Sequence, residues 1–176
     1  IAGLGVVNAG AKEACITLAE QAGALLATTL PAKGLFHDQP FCLGVAGGYA
    51  SEKAKVIFAK SDLVIGIGAR LASHSFEGGQ LTPDAFVVHL DVAPQTYVQG
   101  RHAADLLIKA DAKYGANALS AVLDRKTGWR TPTMKQVTSD ALVLPDDSIT
   151  PDGLLHPMAV IKQLADTIPA TCHVVN

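Results

Sequence analysis

Charge is scarce in this chain of 176 residues: Asp, Glu, Lys and Arg make up 17 %, below the usual quarter, and the formal net charge is only −2. No long basic run occurs, which excludes the electrostatic footprint of a nucleic-acid binder and the polybasic patch of a membrane-surface protein. No apolar run reaches membrane-spanning length, and no charged start leads into an apolar core and cleavage site, so the expected location is the cytoplasm. The three cysteines, Cys15, Cys42 and Cys172, form neither a CxxC pair nor a zinc pattern with the histidines and are expected to be reduced and buried. The six histidines lack HExxH spacing, no serine lies in a GxSxG elbow, and the glycine-rich stretch Gly44 to Ser51 lacks the Gly-Lys-Ser/Thr ending of a P-loop.

What is present is apolar. Hydrophobic residues make up 49 % of the chain, enough for one domain of ordinary size with an appendage, and the shortage of charge implies a surface partly covered by something else. The organising stretch is Asp62 to Arg70, DLVIGIGAR. Leu63, Val64, Ile65 and Ile67 make it apolar on both faces, as in a central parallel strand with helices on either side. Gly66 and Gly68 remove side chains where a backbone or ligand must come close, and Arg70 lies just past the carboxyl end of the strand, where open α/β sheets bind ligands.

The rest of the chain alternates around it. Gly3 and Gly5 read as a turn, Asn8 as the cap of a helix from about Gly10 to Ala22, and Ala24 to Thr28 as a strand. Thr29 to Gly48 reads as a long loop, Ser51 to Lys60 as a helix, and Ala85 to Val92 as a buried strand. Ala104 to Ala110 is a further strand and Asp111 to Leu123 a helix. This alternation predicts an α/β fold, a Rossmann-like doubly wound parallel sheet with helices on both faces. Asp124 to Gly153 has no sustained period and is expected to be a connector pinned by Trp129; a helix from Pro157 and a strand Cys172 to Val175 follow. Ile1-Ala2-Gly3 reads as the tail of a strand and His173 to Asn176 as a strand without a cap, an expectation of a segment excised from a longer enzyme. Gly3, Gly5 and Gly10 form GxGx4G, two residues too long for the dinucleotide fingerprint, and no acidic residue ends the second strand. A stand-alone Rossmann-type module or enzyme binding FAD, ADP or NAD is therefore the alternative reading.

The ordered succession Gly3-x-Gly5, Asn8-Ala-Gly-Ala11, Leu18-Ala19-Glu20-x-x-Gly23-Ala24, Thr28-Thr29, Lys33-Gly34-x-Phe36, Leu43-Gly44, Ser61-Asp62-Leu63-Val64, Gly68-Ala69-Arg70-Leu71 and His89-Leu90-Asp91 resembles the central domain of thiamine-diphosphate-dependent enzymes. Acetolactate synthase, oxalyl-CoA decarboxylase and benzoylformate decarboxylase are of this family. The resemblance implies a central domain over residues 1–123, an interdomain linker over 124–153, and the truncated start of a pyrophosphate-binding domain over 154–176. It implies a parent lyase or transferase, a decarboxylase or carboligase of 2-oxo acids or acyl-CoA. Thiamine diphosphate and magnesium would lie on domains outside this chain, so that the chain alone is inactive and holds no catalytic or metal residue. The implied partners are the other domains of that parent, itself a homo-oligomer. The favoured role is structural, with nucleotide binding as the second reading: the central domain binds FAD in acetolactate synthases and ADP in oxalyl-CoA decarboxylase. Thr29, Leu30, Gly68, Ala69, Arg70, Asp91 and Val92 fall on positions matching the flavin-contacting motifs of acetolactate synthase. The chain departs from that pattern at Ala46, where the family has a histidine, and at Ala72 and Ser73, where it has acidic residues, which favours an adenine nucleotide over FAD.

Overall fold

The computed structural model describes residues 1–141, 154–169 and 171–172, in two compact units, Ile1–Leu142 and Val143–Asn176. The first unit opens with two helices, α1 (Leu4–Asn8) and α2 (Lys12–Ala22), followed by β1 (Leu26–Thr28) and β2 (Cys42–Val45). Then come α3 (Glu52–Phe58), β3 (Leu63–Ile67), the single turn α4 (Ser73–Phe76) and β4 (Phe86–Asp91). A small hairpin, β5 (Tyr97–Val98) with β6 (Arg101–His102), precedes β7 (Leu106–Lys109), α5 (Ala112–Val122) and α6 (Pro132–Ala141). In the second unit α7 spans Pro157–Thr167, and Ile161 and Leu164 on its apolar face are about half exposed.

β1 pairs with β2, and β3 with β4 and β4 with β7, all in parallel. Among the described residues a single one joins the two groups. Ala2 bridges in parallel to Thr28 on one side and Ile67 on the other, giving the order β2, β1, Ala2, β3, β4, β7. The chain moves outward from Ala2 through β1 to β2, then returns to lay β3 on the opposite flank of Ala2 and continues outward. That reversal is a topological switch point, and the crevice beyond the strands' carboxyl ends there is the usual ligand site of such sheets.

Side-chain alternation along each strand supplies two faces. Leu26, Cys42, Ile67 and Leu90 pack on one face with α2 and α5; Ala27 and Leu43 pack on the other with Ala54, Ile57 and Phe58 of α3. Small residues set the spacing: a Cβ on Gly115 would lie 2.7 Å from Leu90, so α5 sits directly on β4.

Five sequence expectations change, the last at Cys172. Asn8 ends α1 instead of capping α2, whose N-cap is Ala11. The stretch read as one loop from Thr29 to Gly48 contains β2, whose four residues are too few and too glycine-rich to show a period. Leu63 is 51 % exposed, so the central strand is covered on both faces only from Val64 onward. The stretch read as a connector holds α6, capped by the Thr131 hydroxyl accepting from the Met134 N–H and anchored by buried Thr138 donating to the Pro40 carbonyl at 2.8 Å. Trp129 packs as expected beside Met134 and Val137 against the α3 face, and its N–H donates to the Gly23 carbonyl at 2.7 Å. Cys15 and Cys42 are buried, and burial pushes the Cys15 thiol up to about 11, whereas Cys172 is exposed. The remainder of the connector and all but the first residue of the expected strand Cys172 to Val175 lie outside the described residues.

A tight crossing lies where α1 begins against the end of β3. Gly68 has φ +54°, and a Cβ there would lie 2.7 Å from the Val6 nitrogen and 2.8 Å from the Gly5 Cα, with backbone on every side. Gly34 is equally left-handed at φ +88° but faces open space. Gly34→Ala is expected to cost about 1 kcal/mol, the αL penalty alone, and Gly68→Ala about 3 kcal/mol or more, because no side chain can give way. Urea unfolding measures both; equal losses would mean that the close crossing is not what requires glycine at 68.

Candidate functional site

A cleft of about 560 Å³ opens over the switch point. Its walls come from the start of α1 (Leu4, Gly5), the turn after β1 (Thr29, Pro31), the turn after β3 (Gly68, Arg70, Ala72, Ser75), the end of β4 (His89, Asp91 to Ala93, Gln95) and the start of α5 (Asp111, Ala112). Of the residues singled out from sequence, Thr29, Gly68, Arg70, Asp91 and Val92 are brought together here, while Leu30 and Ala69 are not among the lining. The reason lies in the backbone. The left-handed turn at Gly68 drives Ala69 inward, where it is 1 % exposed beside Leu71 and Phe76, and leaves Arg70 outside. Leu30, which starts the short 3-10 turn Leu30–Ala32, is exposed on the far side of that turn from the lining Thr29 and Pro31.

Arg70 is exposed and makes no ion pair among the described residues, so its guanidinium offers the cleft a cation with five donors. Opposite it, Asp91 Oδ1 accepts from the Ala93 N–H at 2.9 Å, an Asx turn that fixes the carboxylate. His89 lies two residues earlier on the same side of β4 and is 2 % exposed. Its Nδ1 accepts from the Gln95 N–H at 3.1 Å, and its Nε2 stands 3.9 Å from Asp91 Oδ2. Asp111 completes the rim by capping α5, its Oδ1 accepting from the N–H groups of Lys113 and Tyr114. Sequence reasoning missed His89, Gln95 and Asp111. The period-two spacing of His89 and Asp91 was a signal for the first; nothing in the sequence marked Gln95.

The turn carrying Arg70 is held from outside by the β5–β6 hairpin. Leu71 adopts φ +50°, unusual for a branched side chain, and its carbonyl accepts from Arg101 Nη2 at 2.9 Å. The same guanidinium donates to the His102 carbonyl at 2.8 Å and lies over the Phe76 ring at 5.7 Å. Gln99 Oε1 accepts from the Ser73 N–H at 2.8 Å. Arg101→Met removes both donated bonds and leaves the Leu71 carbonyl without its partner, an expected loss of about 2–3 kcal/mol in urea unfolding. Arg101→Lys is expected to recover less than half, because one ammonium cannot reproduce the fork. Full recovery by lysine would show that the guanidinium geometry does not hold this turn.

Two other concavities lie elsewhere. The larger, about 790 Å³, sits at the amino ends of the strands between β1 and β3 and is walled mainly by Leu, Ile and Ala side chains with Trp129 and Met134. Its size does not make it the site, because it offers few polar groups to orient a ligand. The other, about 610 Å³, carries Arg125, Lys126 and Arg130, but the Arg130 guanidinium is already engaged by the Ala24 carbonyl, the Phe41 ring and Glu20. Among the described residues no three His, Cys, Asp or Glu side chains come together to hold a metal, and no helix is long and apolar enough to cross a membrane.

The chain is similar to known proteins along most of its length. Residues 1–122 match the family described as thiamine pyrophosphate enzyme, central domain. The chain is 31 % identical to a probable acetolactate synthase large subunit of Methanocaldococcus jannaschii, over 95 % of its own length and 30 % of that protein's. It is 34 % identical to an acetolactate synthase of Mycobacterium bovis, over 69 % of its own length and 20 % of that protein's. The match to an acetolactate synthase large subunit of Corynebacterium glutamicum is 33 % over 52 % of the chain and 15 % of that protein. The chain thus spans less than a third of the length of these relatives, and it belongs to the family of thiamine pyrophosphate enzyme central domains.

Proposed function

We propose that this chain is the nucleotide-binding central domain of a thiamine-diphosphate-dependent enzyme of the acetolactate synthase kind, a lyase or transferase acting on 2-oxo acids, and that it supplies no catalytic residue itself. The observation that carries the reading is the convergence of Arg70, Asp91 and Thr29 from the ends of three different strands on one cleft at the switch point. A guanidinium without an ion-pair partner suits a diphosphate, and a fixed carboxylate suits a sugar hydroxyl. Thiamine diphosphate supplies the carbanion chemistry of such enzymes. The residues described here do not fit its metal-diphosphate anchor, since no cluster of three metal-ligating side chains is present among them, and its site is assigned to other domains of the parent. Within this chain the cleft binds and orients; it moves no proton and forms no bond.

An adenine nucleotide is preferred to FAD, because Ala46, Ala72 and Ser73 stand where the flavin-binding pattern has a histidine and acidic residues. Calorimetric titration of ADP into the full 176-residue chain is expected to show saturable binding, weakened roughly tenfold or more by Arg70→Ala, the equivalent of one charge-assisted hydrogen bond. FAD is expected to bind more weakly than ADP, and thiamine diphosphate with magnesium to give no heat. Absence of ADP binding by the wild type would leave a purely structural domain, and binding indifferent to Arg70→Ala would place the ligand elsewhere.

A further inference from the structure

We infer that His89 and Asp91 together form a hydroxyl-reading pair that makes the switch-point cleft selective for a nucleotide with an intact ribose diol. The inference rests on the nucleotide reading above and adds a residue and a discrimination that it does not contain.

The tautomer of His89 is set by its neighbours. Nδ1 stands 3.1 Å from the Gln95 nitrogen, whose N–H donates to it, and only 3.4 Å from the Gln95 carbonyl. The shorter contact makes Nδ1 the acceptor, so the proton of the neutral ring is on Nε2. That Nε2–H is buried without a hydrogen-bond partner among the described residues. Native structures pair such donors, and an unmade bond here costs about 1–3 kcal/mol. Asp91 Oδ2 is 3.9 Å away, too far for a direct bond. Asp91 cannot simply swing to meet it, because Oδ1 is engaged by the Ala93 N–H.

A separation of 3.9 Å between donor and acceptor is what one bridging oxygen spans, at ~2.8 Å from each. The chemistry of that oxygen is restricted. It must accept from Nε2–H and donate to the Oδ2 carboxylate at once. A phosphate oxygen accepts but is repelled by the carboxylate, and an ammonium satisfies the carboxylate but cannot accept from the imidazole. A neutral hydroxyl does both. Asp91 reaches the cleft with its side chain 22 % exposed, and the cation for a phosphate, Arg70, stands on the neighbouring strand end. A nucleoside diphosphate laid across the switch point therefore brings its ribose to this pair. A site built to bond a hydroxyl rejects the analogue lacking it strongly, because donor and acceptor are then both left unmet.

The test is competition calorimetry on the full chain with ADP, 2′-deoxy-ADP and 3′-deoxy-ADP. Wild type is expected to bind ADP at least tenfold more tightly than one of the two deoxy nucleotides. In His89→Leu that ratio should fall to below threefold, through weaker ADP binding with the disfavoured analogue unchanged; a substitution that merely loosened the cleft would weaken all three ligands alike. His89→Gln, which keeps an N–H donor, should retain part of the ratio. Should the leucine variant not fold by circular dichroism, Asp91→Asn serves instead: it keeps the Asx turn, replaces Oδ2 by a donor and should abolish the same ratio. If ADP binds and depends on Arg70 but the ratio is unchanged in these variants, the hydroxyl-reading pair is refuted while the nucleotide reading stands; if no nucleotide binds wild type, both fall.

Discussion

The architecture depends on a backbone-to-backbone crossing around Ala2, Gly3 and Gly5. Among the described residues Ala2 is the only sheet bridge between the β1–β2 pair and the β3–β4–β7 group, and it is reinforced by the Gly3 N–H donating to the Ile67 carbonyl and the Gly5 N–H to the Gly68 carbonyl, both at 2.9 Å. A Cβ on Gly3 would lie 2.2 Å from the Gly68 oxygen. Gly3 and Gly5, two of the three glycines that read as a damaged dinucleotide fingerprint, are thus taken up by close contact with Gly68. They bring the end of β3 against the start of α1, and the cleft is the crevice left above that junction. This is why the spacing need not match the fingerprint: the residues are selected by protein backbone at contact distance, not by a pyrophosphate.

Sequence patterning revealed the long, strongly apolar elements and their order. Leu63 to Ile67 and Phe86 to Asp91 are adjacent inner parallel strands in direct register, and α2, α3 and α5 occur within a few residues of where their periods put them. Failures concentrate where few residues carry the information. In β2, Gly44 at φ +79° interrupts a four-residue strand whose place is dictated by pairing with β1, not by its own propensity. α6 carried a legible start in Thr131-Pro132, a capping hydroxyl followed by proline at the first helical position, but the prolines and glycines around it masked the signal.

For the cleft, legibility divided along a physical line. Residues that face it because they lie at or just past the end of a strand, such as Asp91 and Arg70, were found; those that depend on local chain reversal were not. Ala69 and Arg70 are adjacent in sequence and end on opposite sides of a wall because Gly68 is left-handed. Arg101 carries no local motif, yet its hydrogen bond to Leu71 crosses 30 residues and sets the turn on which Arg70 stands. Such a dependence is a property of tertiary packing and has no counterpart in any short window of sequence.

The covering of the β1–β2 side bears on where this module begins and ends as an inherited piece. The family match stops at residue 122, but Trp129, Met134 and Val137 cover apolar surface of β1 and α3, and the Gly23 turn is sealed by a Cβ-excluding contact with Thr127 and Gly128. The family match and the packed unit therefore end at different residues. A recombination event that moved only residues 1–122 into another protein would carry an uncovered flank with it, and the recipient would have to furnish a substitute for α6.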